Sequence, residues 1–289
     1  KADVLVENFR PRAATALGFD HAGIGARFPN LIHCSITGFG PTGPMCERPA
    51  MDALLQAFAG PMSVTGEKDR PPVRVGLAVV DMSTALFAAN GVMAALAARA
   101  RTGRGQKVET SLMESILAFQ CYLHACRWGT GRDPEKLGSA HAAMAPLQVF
   151  PASDGHILVM AGNQKQWLAL CDVIGHPELK DDPRFLTNAG RVQHKDALHA
   201  IIGRVLATAP RAEWQAKLTA LDVLCSPVNT VGEALEEPQA LHRDMVVERP
   251  HPTLGSMKFT GFPVKLSETP AVFDRDPPAI GQHTQEILA

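Results

Sequence analysis

The chain has 289 residues, 46% of them apolar, and 28 Lys and Arg stand against 29 Asp and Glu for a formal charge of -1. That length can build one large domain or two moderate ones around a sizeable core, and it rules against a disordered protein. Balanced charge without a long block of either sign argues against nucleic acid or an anionic membrane as the main partner.

The first run, "KADVLVENF", has a strand-like centre at Val4 to Val6 and shows neither an initiator Met nor a signal-peptide pattern. It is expected to continue a longer chain. Val4 to Val6, Leu31 to Ile36 and Lys107 to Thr110 are short strand-like runs separated by helical stretches. This alternation predicts an α/β layer with parallel strands, whose ends should hold the site. "FGPTGP", Phe39 to Pro44, has two Gly and two Pro in six residues and predicts an ordered turn or lid. A helix is predicted after Pro49, and another from about Met82, in "DMSTALFAANGVMAALAA". The most apolar part of the latter, Ala85 to Ala98, is interrupted by Asn90 and Gly91 and ends at Arg99. It falls short of the roughly 20 residues needed to span a bilayer, so no membrane span is predicted. Arg99, Arg101 and Arg104 read as a solvated helix end.

Ser111 and Glu114 have capping-box spacing, which predicts a helix from about Leu112 to Trp128. From Pro146 the texture changes. "LQVFPASDGHILVMAG" alternates like a hairpin around Asp154-Gly155, while "KQWLALCDVIG" and "ALHAIIGRVLA" have helical apolar spacing. "RPHPTLGSMKFTGFPVKL" reads as another hairpin with Gly255 at its turn, and the tail from Asp274 to Ile280 as an extended surface segment. The expected organisation is a large domain over residues 1–128, a linker over 129–141, a small domain over 142–238 and a return segment to the large domain over 239–289. Cys34, Cys46, Cys121, Cys126, Cys171 and Cys225 show no C-x-x-C pair or zinc-like grouping. Free thiols in a reducing, cytoplasmic compartment and no metal site are therefore expected.

Asp81 is the one charged residue of "GLAVVDMSTAL". Capping of the helix from Met82 would explain it without chemistry. That helix is apolar nearly all round, however, so its cap would be partly desolvated, and a carboxylate stripped of water becomes a better nucleophile toward an activated acyl carbon. The two readings are compatible.

"KADVLVENFRP", "FGPTGP", "RPAMD", "GLAVVDMSTALFAANGVMAALAARARTGRGQKVETSL", "AGNQKQW" and "GQHTQEIL" together resemble the class III coenzyme A transferases, the formyl-CoA and carnitine CoA-transferase family. The resemblance implies a Rossmann-like large domain with a parallel sheet, a smaller α+β domain and an interlocked homodimer. Family members begin with a further N-terminal stretch. The implied activity moves CoA between carboxylic acids, with Asp81 as nucleophile and no cofactor or metal beyond CoA itself. By family position, Asn8, Phe9, Arg10, Arg48, Met51, Asp52 and Leu112 would contact CoA. The family's basic residue six positions after Arg10 is Ala16 here, which leaves Arg12 for the phosphates. "LGSAHAAMAPLQVF" resembles the dicarboxylate-handling branch, placing His141 near the acyl group, with Gly162 and Asn163 at the pocket roof. Either Arg127 or Arg132 would pair with a second carboxylate.

Two other functions fit parts of the pattern. An α-methylacyl-CoA racemase shares the fold but needs a His where this chain has Met51. A non-catalytic CoA-binding or assembly protein would not need Asp81.

Overall fold

Residues 2–251 and 254–289 are described by a computed structural model of the chain. Two compact units emerge, Lys1–Gln148 with Arg191–Gln193, and Val149–Gly190 with His194–Ala289.

The first unit is an α/β layer. Its elements run β1 (Val4–Glu7), α1 (Pro11–Ala16), α2 (His21–Arg27), β2 (Ile32–Thr37), α3 (Asp52–Phe58), α4 (Pro61–Val64), α5 (Val79–Thr102), β3 (Lys107–Ser111), α6 (Leu112–Phe119) and α7 (Cys121–Thr130). The three short runs found in the sequence form one parallel sheet in the order β1-β2-β3. Val6 pairs with Cys34, and Cys34 with Val108. Central β2 buries Ile32, His33, Cys34 and Ser35, as a strand covered on both faces must.

Helix α5 crosses between β2 and β3 and packs on both, and on α3 and α6. Gly91 permits the close approach: a Cβ there would stand 2.6 Å from Cγ1 of Val108. The prediction that this segment is too short to span a bilayer is corrected. Neither Asn90 nor Gly91 breaks the helix, which runs for 24 residues and is apolar enough, by length and composition, to cross a membrane. Only 28% of its most apolar window is buried within the structure. Arg99 is no solvated helix end either. Its guanidinium bonds the Asp3 carboxylate at 2.8 Å and the Asn30 carbonyl at 3.0 Å, tying the last turns of α5 to the starts of β1 and β2.

The single helix predicted after Ser111 is two, α6 and α7, with the break at Gln120. Gln120 is buried, and its side-chain amide donates to the Ile116 carbonyl at 3.0 Å and, across the fold, to Ala59 at 2.9 Å. Ser111 does cap α6 by accepting from the Glu114 amide at 3.1 Å. Glu114 turns back onto the Ser111 hydroxyl, at 2.5 Å, and not onto the backbone amide that a full capping box would use.

An unforeseen buried pair sits inside this sheet. His33 is 2% exposed and its Nε2 lies 3.4 Å from the Glu7 carboxylate, with the His21 ring stacked 5.9 Å away. Burial lowers the imidazole pKa below 6.5 and outweighs the opposing pull of Glu7, while His21 and Lys107 push the same way as burial. The unfolded chain therefore binds the His33 proton more readily than the folded one. Stability from this site is complete above pH 6.5 and is lost as the pH falls below it. Urea midpoints measured at about pH 7.5 and about pH 5.5 should differ less in His33→Gln than in the parent.

The second unit has its own core. Its elements are β4 (Leu147–Ala152, the first two residues of which fall in the first unit), β5 (Gly155–Met160), α8 (Gln164–Val173), a 3-10 turn at Pro177–Lys180, α9 (Asn188–Gln193, the last three residues of which fall in the first unit), α10 (Lys195–Leu206), α11 (Arg211–Thr219), β6 (Leu224–Pro227), α12 (Val231–Glu236), α13 (Pro238–His242), β7 (Val246–His251), β8 (Gly255–Thr260) and α14 (Thr284–Leu288). Strands β4, β5 and β6 form a sheet in that order, with β6 antiparallel to β5. Trp167, Leu170, Phe185, Leu198, Ile202 and Leu206 are fully buried together behind it. Strands β7 and β8 make the second predicted hairpin, and Gly255 stands at the start of β8 with φ 76°. Pro252 and Thr253 of that turn lie outside the described residues. Residues 274–280, predicted as an extended surface tail, are exposed and have neither helix nor strand, with Ile280 in a turn.

Candidate active site

Because α5 precedes β3 and Arg99 ties its far end to the strand starts, its first turn lies at the carboxyl ends of the parallel strands. That end is where open α/β sheets place ligands. Asp81 projects from this turn and is exposed. A cavity of about 620 Å³ bounded by Asp3, Leu5, Phe19, Phe28 and Arg99 lies at the opposite end of the strands, away from Asp81.

The capping reading of Asp81 is corrected. Helix α5 starts at Val79, so Asp81 is inside the first turn, and its N-cap residue is Ala78, which has no side chain able to cap. The cap comes from another helix. Oδ2 of Asp52, the first residue of α3, accepts the amide of Val80 at 2.8 Å and that of Asp81 at 3.2 Å. Among the described residues, no hydrogen bond to the Asp81 carboxylate is seen. Loss of hydration raises its pKa above the ordinary carboxylate value, and the nearby Asp52 charge raises it further.

Gln56 completes this arrangement and was not singled out in the sequence. It is fully buried; its Nε2 donates to Asp52 Oδ1 at 2.6 Å and to the Leu77 carbonyl at 3.3 Å, and its Oε1 accepts the Val75 amide at 2.8 Å. The visible signal was a polar residue four positions after Asp52 in "DALLQAF", the spacing at which side chains meet on a helix. Beneath it, Leu55, Val80, Ile116 and Phe39 form a small core, with Leu112 packed against its edge.

The loop after β2 closes over the same end. Phe39 meets Phe58 edge to face at 5.3 Å, and the Arg48 guanidinium lies 5.8 Å and 5.9 Å from their ring centres. Gly38 is needed for this fit, since a Cβ would come 2.3 Å from that of Ala50, two residues before Asp52. Asn8, Phe9 and Arg10 follow β1 and are exposed, and Phe9 stacks on Phe19 at 5.9 Å. Arg12 brings this segment to the Arg48 segment: its amide donates to Glu47 at 3.1 Å, and its 90%-exposed side chain lies 4.0 Å from the same carboxylate. Met51 is the N-cap residue of α3 and is 70% exposed. Thus Asp81, Asp52, Met51 and Arg48 share one region, with residues 8–12 beside them.

His141 is exposed in the loop after α7, its Nδ1 accepting the Ala143 amide at 3.1 Å. Arg127 is held by Asp133 at 3.1 Å, whereas no bond to the Arg132 guanidinium is seen among the described residues. In the second unit, Asn163 caps α8 by accepting from the Gln166 amide at 2.9 Å, and the Gly162 amide donates to the Gln166 side chain at 2.9 Å. Among the described residues no group of His, Cys, Asp and Glu could hold a metal ion.

Fold and site together define a mixed α/β protein that presents, on a helix start beside an aromatic and cationic loop, a carboxylate with no hydrogen bond among the described residues. The chain belongs to CoA-transferase family III, whose family model matches residues 1–284. It is 36% identical over 286 residues to a succinyl-CoA:glutarate CoA-transferase of Mus musculus, covering 99% of this chain and 66% of that one. It is 40% identical over 268 residues to an acetyl-CoA:oxalate CoA-transferase of Acetobacter aceti, covering 92% and 68%. Among solved structures, a CAIB/BAIF family protein from Brucella suis matches with a TM-score of 0.90 at 33% identity, over 99% of this chain and 75% of that one. The chain thus spans just under two thirds of the mouse relative's length.

Proposed function

We propose that the protein transfers coenzyme A between carboxylic acids, with Asp81 as the covalent nucleophile. The observation that carries this reading is the cap supplied by Asp52, which frees the Asp81 carboxylate from capping and leaves it with no hydrogen bond among the described residues. In the proposed cycle an Asp81 oxygen attacks the donor thioester carbonyl and expels CoA thiolate, leaving an acyl aspartyl anhydride. The thiolate attacks the aspartyl carbonyl, which releases the donor acid and forms an aspartyl-CoA thioester. The acceptor carboxylate attacks that thioester, regenerating thiolate and a second mixed anhydride. Attack of thiolate on the acceptor acyl carbon yields the new acyl-CoA and restores the carboxylate. Acyl activation is conserved throughout, so the protein has to exclude water and stabilise oxyanions.

A raised pKa supports nucleophilic use of Asp81, because basicity and nucleophilicity rise together. Arg48, Arg10 and Arg12 offer cationic contacts for CoA phosphates beside it, and Phe9, Met51 and the Phe39 loop offer apolar ones. The relatives' names favour succinyl-CoA or acetyl-CoA as donor and glutarate or oxalate as acceptor. In the first unit, His141 and Arg132, whose guanidinium has no bond among the described residues, are the proposed acyl-side residues; for Gly162 and Asn163 of the second unit the same role is proposed on the family resemblance. Met51 argues against a racemase, since a thioether cannot exchange the second proton that inversion needs. Met82, Leu86, Met93, Tyr122 and Trp128, each at least 60% exposed, support a homodimer with α5 and α7 at its interface.

The test incubates the full-length protein with succinyl-CoA or acetyl-CoA and a panel of mono- and dicarboxylates, following new thioesters chromatographically. Hydroxylamine quenching should leave a hydroxamate on the peptide containing Asp81. Absence of new thioester across the panel would refute the activity, and a hydroxamate elsewhere would refute the nucleophile.

A further inference from the structure

Family position groups Asp52 with the CoA contacts, but the structure gives both of its carboxylate oxygens partners inside the chain. Oδ2 holds the amides of Val80 and Asp81, and Oδ1 receives the Gln56 amide. Gln56 in turn fixes Val75 and Leu77, in the segment that leads into α5. Two residues one turn apart on α3 therefore grip four backbone positions around the nucleophile. We propose that Asp52 and Gln56 are positioning residues for Asp81: Asp52 fixes the turn that presents the Asp81 carboxylate, and Gln56 holds Asp52 and the segment leading into that turn.

Two physical effects are combined in one group. Uncapped first-turn amides behave as a partial positive charge and would make Asp81 more acidic. A carboxylate placed on those amides satisfies them and cancels that field, while its own charge repels ionisation of Asp81. Local helix capping by Asp81 itself would have consumed the reacting oxygens; capping from α3 does not. Other titratable groups on the elements packed against α5 are engaged elsewhere. On β2, His33 faces Glu7, and the pKa of Cys34 is raised by its own burial. On β3, Lys107 pairs with Glu109, and on α6 Glu114 bonds Ser111. Asp52 is the charge that acts on Asp81.

The inference rests on Asp81 being the nucleophile, and its test separates the two. Asn ranks with Asp as a capping residue, so Asp52→Asn keeps one oxygen for the amides of Val80 and Asp81 and removes the charge, together with the acceptor that receives the Gln56 amide. Modification of Asp81 by a carbodiimide with glycinamide, mapped by peptide mass spectrometry against pH, reports its protonation without any turnover. In the full-length protein the midpoint should move to lower pH in Asp52→Asn. Turnover should fall, and it should fall further, about 100-fold, in Asp52→Ala, with KM for the acyl-CoA nearly unchanged. A role in gripping CoA would instead raise KM and leave kcat. An unmoved carbodiimide midpoint in a folded Asp52→Asn protein, or a KM effect alone, overturns the proposal. Should the parent protein form no hydroxamate at Asp81, the nucleophile assignment falls, and the carbodiimide titration still decides whether Asp52 controls that carboxylate.

Discussion

Asp81→Ala is expected to lower turnover in the full-length protein by at least about 10⁴-fold, the scale set by losing a covalent nucleophile in other group-transfer enzymes. Affinity for CoA should persist, because Arg10, Arg12 and Arg48 and the aromatic loop make no contact through the Asp81 side chain. The fold should be unaffected: no hydrogen bond to that carboxylate is seen among the described residues, and the helix start is capped by Asp52. Steady-state rates with the best donor and acceptor, calorimetric titration with CoA and a thermal melt would check the three parts. A variant that still transfers CoA at a tenth of the parent rate would remove Asp81 from the chemistry. Simultaneous loss of CoA affinity would assign it to binding.

Leu55→Ala should produce the largest coupled loss of stability and activity. Leu55 is wholly buried between Phe39, Val80 and Ile116, so it joins α3 to α5, to α6 and to the loop after β2. Truncation removes buried methyls and leaves a cavity, a change that typically costs about 2–5 kcal/mol. It also loosens the contact that sets Asp52 against the amides of Val80 and Asp81. Urea unfolding should show the stability loss, and kcat should drop under conditions where the variant is fully folded. Full activity in a destabilised variant would show that the carboxylate geometry does not depend on this small core.

What could be read before the structure was known followed the range of the forces involved. Strands β1, β2 and β3, the Ser111 cap and the hairpin at Asp154-Gly155 are written in local patterns of alternation, capping and turn chemistry. Asp81 stood out because a charge in an apolar run is visible in one dimension. The start of α5 was not legible, since its cap comes from a residue 28 positions earlier. Likewise the break at Gln120 depends on the Ala59 carbonyl, 61 positions away, and Arg99 looked solvated until Asp3 and Asn30 were brought to it. His33 lies in a strand-like run and Glu7 just after another, and neither gave a sign of pairing inside the sheet. In each case a polar side chain finds a partner that only the chain's path supplies.

Helix α5 is pinned at both extremities, by Asp52 at Val80 and Asp81 and by Asp3 and Asn30 at Arg99. Each residue of an α-helix advances the phase by about 100° and the length by about 1.5 Å. Adding or deleting a single residue between the two anchorages would therefore turn one end by about 100° relative to the other, so that Asp52 and the Asp3–Asn30 clasp could no longer both keep hold, even with every side chain retained. The count of residues separating Asp81 from Arg99 is thus as much a part of the reactive apparatus as the chemistry at either terminus.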